Sequence, residues 1–443
     1  MASLSDKMVS NMKYSAFSKA KDLQARLLFT LLALIIFRLG TYVPFPGINA
    51  DVIKDYFNDN SGGLLGMFNA FTGGALSRMS IFALNIMPYI SASIIVQLGA
   101  AVIPSLMALK KEGESGMRKI NQYTRYLTVL ITVVQAFFMA QALQASGVVT
   151  MPSQGMFALT TVVSLLGGTM FVVWLGEQIT ARGVGNGASL LIMVGIVSGI
   201  PGAIARVFEE NRTGALSTGV VLGLLAMTIA LIYIIVMFER AQRRIVVHYP
   251  KRQMGNRMMQ GTQSHLPLKI NPTGVMPPIF ASALLAVPVA IVQFSSKSGT
   301  SDFMNQMAVL LTPGQWLYIA LFAFLIVFFT FFYTSLQSNP DETAENLKKQ
   351  GGFVAGIRPG KSTAEYLDYV ITRLTVLGAF YLTMLCILPE FLIATMQVPF
   401  FLGGTTLLIV VSVIMDTVTQ IQSHMIAHQY EGLIKKAKLK GKL

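Results

Sequence analysis

GGLLGMFNAFTGG at residues 62–74, followed by IMPYISASI at 86–94, decides the fold of this chain. The first stretch is apolar and bracketed by glycines, and at about 1.5 Å per residue a helix there is far too short to cross a hydrocarbon core of roughly 30 Å. It reads as a re-entrant half-helix or as an amphipathic helix lying on the outer interface. A re-entrant segment implies a cavity, because backbone that ends at membrane depth is tolerated only where protein buries it or water reaches it. The second stretch has a counterpart: VMPPIFASA at 275–283 shares Met, Pro, Ile, Ala and Ser with it in register. Either two apolar helices are similar by chance, or the chain is built from two repeats.

Water is not the main solvent of this protein. Of its 443 residues 53% are hydrophobic and 12% charged, against about 25% charged in an ordinary soluble domain. Apolar runs long enough to span a bilayer recur at 27–43, 81–103, 123–145, 156–175, 187–204, 217–238, 274–292, 313–335, 369–388 and 400–420. The repeated motif falls in the second and seventh, the second spans of two five-span halves. An odd number of spans per repeat inverts the second half in the membrane. The expected fold is therefore an all-α polytopic membrane protein with about ten transmembrane helices in two inverted five-helix halves around a central pore. The halves are expected at 27–204 and 205–420, with a tail at 1–26, inward loops at 239–270 and 337–368, and a basic tail at 421–443.

Charge orients the bundle. With Arg125 and Arg373, near span ends, assigned to the adjacent loops, the tails and the loops after spans 2, 4, 6 and 8 hold 28 Lys and Arg, the other loops 5, and Arg38 lies inside the first span. Positive loops stay cytoplasmic, which places both termini inside. The basic run before span 1 is not followed by a small-residue cleavage site, so that span reads as retained. The net charge of +14 is topological first, and it also suits anionic lipid headgroups.

Catalytic and metal chemistry find little purchase. The lone Cys386 sits in an apolar run, excluding an intrachain disulfide, and His248, His265, His424 and His428 have no metal-site spacing. AGIRPGKS at 355–362 fits a permissive P-loop pattern, but it lies in a loop between spans 8 and 9, and Pro359 removes an N–H from any phosphate cradle. Arg38, Glu177 and Asp416 are the few ionisable residues at or near membrane depth and form no catalytic pair, which weakens both an intramembrane enzyme and an ion-coupled transporter. No cofactor is called for.

The inward loop 239–270 carries seven Lys and Arg against one acid, and Arg243-Arg244 precede the β-branched Ile245, Val246 and Val247. Gly255-Asn256 can turn the chain back, so the pattern suggests a basic β-hairpin that docks an acidic partner, RNA phosphate or a motor protein. The plainer alternative is that these charges only set topology.

The chain closely resembles the SecY family, the channel-forming subunits of the bacterial protein translocase, from about Arg26 to Lys440. The resemblance rests on FNAFTGGALSR (68–78), IMPYISASIIVQL (86–98), KKEGESG (110–116), QYTRY (122–126), WLGEQIT (174–180), GNG (185–187), ERAQRRIVV (239–247), HLPLK (265–269), NPDETAENLKK (339–349), GIRPG (356–360) and PFFLGGTTLLIVV (399–411). It implies a protein-conducting channel of the cytoplasmic membrane that passes secretory polypeptides and releases membrane-protein helices sideways. By the same resemblance the plug is 62–74, with Gly62, Leu64, Leu65, Met67, Phe68, Phe71, Gly73 and Gly74. The pore ring is Ile86, Ile90, Ala188, Ile192, Ile279 and Ile409, and the lateral gate lies between spans 2 and 7, with Ser91 and Val287. Arg243, Arg244, Lys251, Arg252, Arg257 and Arg358 would dock the ribosome or the SecA ATPase, and small subunits resembling SecE and SecG would clamp the channel. An apolar ring can seal by dewetting and fit around a chain without reading its sequence. Ala188 departs from the larger aliphatic residue expected, so the ring is looser there or neighbours such as Leu191 compensate. Asn85 replaces a usual glycine beside the ring, and Pro277-Pro278 doubles a usual single proline; both touch the gate.

Overall fold

The computed structural model describes residues 21–48, 69, 72–145, 149, 153–214, 216–250, 252–254, 257–259, 263–285, 310, 315–396 and 403–440. In chain order the helices before the hairpin are α1 (Lys21–Gly40), α2 (Met87–Val102), α3 (Pro104–Lys111), α4 (Glu114–Ala145), α5 (Gln154–Arg182), α6 (Gly187–Arg212) and α7 (Thr218–Arg240). The strands β1 (Gln242–His248), β2 (Arg252–Met254), β3 (Arg257–Met259) and β4 (Gln263–Lys269) follow. Next come α8 (Met276–Leu285), α9 (Trp316–Gln337), α10 (Pro340–Lys349), β5 (Phe353–Val354), α11 (Lys361–Met396) and α12 (Gly404–Lys440).

Eight helical segments among the described residues are long and apolar enough to cross a membrane, and α2 with α3 makes a ninth that bends by 100°. The remaining expected span begins as the shorter apolar helix α8. The fold is thus that of a polytopic helical membrane protein. The second span differs from the sequence-based boundary. Hydropathy runs unbroken from Ile81, but residues 72–86 are turns and bridges, and the helix starts only at Met87. Two non-glycine residues in that segment are left-handed, Met79 (φ 42°) and Asn85 (φ 50°), a conformation that cannot propagate a right-handed helix. At the other end Pro104 pushes Ile103 into extended backbone (φ −88°, ψ 117°), which stops α2 and redirects α3.

The described chain divides into two compact units. The first comprises residues up to 209 and from 409 onward, the second residues 210–408. In the first, small residues set helix spacing. A Cβ on Gly187 at the start of α6 would collide with the backbone of Gly176 in α5, and one on Gly168 in α5 with the Ile81 carbonyl. Close backbone approach of this kind replaces the hydrophobic drive that lipid cannot supply. An apolar cluster of Phe45, Leu76, Met79, Ala83, Ala140, Phe157 and Leu165 holds the non-helical segment against α4 and α5. Packing of this kind offsets the cost of about 1–2 kcal/mol for an L-residue in the left-handed region at Met79.

In the second unit β1 pairs antiparallel with β4, from Gln242↔Lys269 to His248↔Gln263, and β5 adds to the other edge of β1. Ile245 and Val354 from this sheet pack with Ala344 of α10 and Ala364 and Leu367 of α11. The loops 239–270 and 337–368 therefore share one small core. α10 explains the NPDET run: Asn339 caps Glu342 N–H, Pro340 takes the first turn, Asp341 and Glu342 sit at its positive end and Lys348 and Lys349 at its negative end.

Candidate pore ring, plug base and docking hairpin

The residues expected to form the ring come from three helix starts and one helix body. Ile86 caps α2 through its backbone, and Ile90 N–H donates back to the Ile86 carbonyl at 3.1 Å, one turn on. Ala188 and Ile192 occupy the first turns of α6, whose entry is fixed by side chains. Gly185 (φ 93°) donates its N–H to Gln420 Oε1 (2.9 Å), Gly187 donates to Thr180 Oγ1 (2.8 Å), and Ala188 to Asn186 Oδ1 (3.1 Å). Ile86, Ile90, Ile192 and Ile409 are buried, whereas Ala188 and Ile279 are half-buried. Five of the six belong to the first unit and Ile279 to the second. Leu191, the neighbour that could make up for the small Ala188, is itself fully buried and packs on α5 at Gly176. Of the two residues expected at the gate, Ser91 donates its hydroxyl to the Met87 carbonyl inside α2 (3.2 Å), and Val287 lies outside the described residues.

Gly62, Leu64, Leu65, Met67, Phe68 and Phe71 also lie outside them; Gly73 and Gly74 lie inside. These two glycines are left-handed (φ 65° and 80°), and a Cβ on Gly73 would crowd Ser198 Oγ and the Gly195 carbonyl of α6. Arg38 at the end of α1 donates Nη1–H to the Gly73 carbonyl (2.9 Å) and Nη2–H to Tyr42 Oη (3.1 Å). The Arg78 guanidinium lies over the Tyr42 ring at 4.2 Å. Asn69 Oδ1 accepts from Ser77 N–H (2.9 Å) and its carbonyl from Gly74 N–H (2.9 Å). The C-terminal foot of the 62–74 segment is thus tied to α1 and α6.

Among the docking candidates, Arg243, Arg244 and Arg358 are exposed. Alternation along β1 buries Ile245 and Val247, so Arg243 and Arg244 leave opposite faces of the sheet. Arg252 and Arg257 lie in β2 and β3, which pair with register Met254↔Arg257 across Gly255-Asn256; Lys251 and those two turn residues are outside the described set. The P-loop-like run follows β5 and ends in the first two residues of α11, yet β5 is a two-residue edge strand, not the buried central strand a phosphate loop needs.

Sequence reading missed two polar contacts. Arg125 of α4 makes a bidentate pair with Glu177 of α5 (2.9 and 2.7 Å). Asn271, buried at 2%, donates from Nδ2 to Glu239 Oε1 (3.0 Å) and to the Gly274 carbonyl (3.0 Å), and its Oδ1 accepts from Thr273 (2.9 Å). The signal available for the second was the Asn-Pro-Thr-Gly turn directly before the repeated motif.

A family model described as SecY matches residues 80–418. Protein translocase subunit SecY of Pseudomonas aeruginosa is 52% identical over 420 residues, covering 95% of both chains. That of Escherichia coli is 51% identical over 424 residues, covering 95% of this chain and 96% of its own. Among solved structures, one described as a protein conducting channel superposes with TM-score 0.65 at 16% identity, over 91% of this chain and 93% of its own. Sec61 in the canine ribosome-channel complex gives 0.63 at 16% identity over the same shares. With half of its residues shared along nearly its whole length, and with this fold, the chain belongs to the SecY family of protein translocase subunits.

Proposed function

We propose that this chain is the protein-conducting subunit of a translocase in the cytoplasmic membrane, with both termini inside. It passes unfolded secretory polypeptides through the ring of Ile86, Ile90, Ala188, Ile192, Ile279 and Ile409 and releases apolar segments sideways between α2 and α8. The observation that carries this reading is the 52% identity to a protein translocase subunit across 95% of each chain. The ring's aliphatic character supports it, since apolar walls resist ions without binding a passing sequence. Residues 62–74 act as the plug, and Arg38 supports that reading by holding its foot at Gly73. Arg243, Arg244, Lys251, Arg252, Arg257 and Arg358 dock a motor ATPase of the SecA kind or the ribosome, and small SecE-like and SecG-like subunits complete the complex. The subunit supplies a path, and its partners supply the push.

The test uses the chain's single cysteine to advantage. In a Cys386→Ser background, a secretory chain arrested in transit is crosslinked to Ile90→Cys and, separately, to Ile279→Cys. Adducts are expected at both; none at either position would overturn the channel reading. Deleting 62–72 is expected to raise ion conductance in planar bilayers, and unchanged conductance would remove the plug.

A further inference from the structure

The basic hairpin and the helix that carries Ile279 are joined by six residues, 270–275. Those residues are not a slack tether. Ile270 continues the sheet by donating N–H to the Ala241 carbonyl (3.1 Å), and its own carbonyl lies so near Gly378 of α11 that a Cβ there would stand 3.1 Å away. Asn271 then spends both amide hydrogens, on Glu239 in the last turn of α7 and on the Gly274 carbonyl. Thr273, also buried, fills its oxygen. Gly274 is left-handed (φ 59°), and α8 begins two residues later. Next to this elbow Phe238 of α7 stacks on Tyr381 of α11 with ring centroids 4.2 Å apart. Among these contacts the carboxylate–amide bond is the one that ties the elbow's own side chain to α7. A buried amide that has lost its charged acceptor cannot turn to water, so breaking the bond is costly.

We propose that Asn271 and Glu239 are positioning residues for transport: their bond is the joint that makes α8 follow the β1–β4 hairpin when a partner loads it. The inference rests on the reading above that the hairpin docks a partner and that α8 lines the path. Without the joint, the hairpin would still bind but its displacement would be lost in the turn at 271–275.

The test exploits the chemistry of the pair. Asn271→Asp sets two carboxylates against each other, whereas Asn271→Asp with Glu239→Gln exchanges amide and acid and restores a donor facing an acceptor. Glu239→Gln alone keeps an acceptor and serves as the mild variant. The intact translocase is reconstituted in proteoliposomes with a SecA-type ATPase, and both ATPase binding and transport are measured. Asn271→Asp is expected to bind the ATPase within about twofold of the unmodified complex while transport falls about tenfold, the size of a lost charged hydrogen bond. The exchange pair is expected to recover most of that loss. Transport by Asn271→Asp at the unmodified rate would overturn the joint. So would equal loss of binding and transport, or an exchange pair that stays as defective or as poorly assembled as Asn271→Asp. Arg243→Glu with Arg244→Glu runs in parallel. If that variant still binds the ATPase the docking reading fails, whereas lost binding there beside unmodified transport in Asn271→Asp fails the joint alone.

Discussion

The helices α2 and α8 start in the same way with different supports. Aligning IMPYISASI with VMPPIFASA sets Ile86 against Val275, Ile90 against Ile279 and Ala92 against Ala281. The residue before each motif is left-handed, Asn85 at φ 50° and Gly274 at φ 59°. Pro88 and Pro277 then both follow the first helical residue, and Ala92 and Ala281 are both fully buried. The shared backbone is what two repeats predict and what chance similarity of apolar helices does not. It also accounts for Asn85 where a glycine is usual: asparagine is the side chain that best tolerates this conformation, and its Oδ1 accepts the Ile86 N–H at 2.9 Å. The supports differ. Asn85, itself buried, braces its turn with its own side chain, whereas Gly274 brings no side chain and is held by Asn271 and, through it, by Glu239. One helix start is braced by the side chain of its own left-handed residue, and the other by a side chain three residues upstream and that residue's partner on α7.

Gly274→Val should break the comparison hardest. Its Cβ would meet open space, so the whole effect is conformational, and a β-branched residue at this φ is expected to cost about 2 kcal/mol, read as a lowered thermal midpoint of the purified protein in detergent. Asn85→Ala comes next, at about 1–2 kcal/mol by the same measurement, because a methyl tolerates the left-handed region poorly and leaves the Ile86 N–H without its acceptor. The smallest change is expected at Arg125→Gln. Its bidentate pair with Glu177 is well formed, but the side chains are 47% and 33% exposed, so the loss should be about 0–1 kcal/mol and vanish within error in high salt. A larger effect there than at Asn85 would mean that polar ties between helices, not helix starts, set the stability of the first unit.

Much of the fold was legible in the sequence because the bilayer imposes it: a run of apolar residues must be a helix when no water can satisfy its backbone. The hairpin was legible for a similar reason, with β-branched residues after Arg243-Arg244 and a Gly-Asn turn. Two things were not. Residues 81–86 are as apolar as the helix they precede, and hydropathy carries no term for the left-handed backbone at Asn85. Nor does any local pattern say that Ala344 and Leu367 will share a core with Ile245, since that core is assembled from loops about a hundred residues apart. The proposed ring residues rest on family resemblance alone, because an isoleucine in a pore and one in a helix interface have the same neighbours in sequence.

By itself the sequence determined the solvent of each segment, the number of crossings to expect and the uneven division of positive charge between alternate loops, all consequences of composition taken over windows of about twenty residues. Tertiary structure alone decided where helices start and stop within those windows, which side chains tie them together, and that Asn271 binds Glu239 across 32 positions of chain. Those outcomes depend on which groups meet after folding, and a buried hydrogen bond between distant residues leaves no periodicity for a sequence to show.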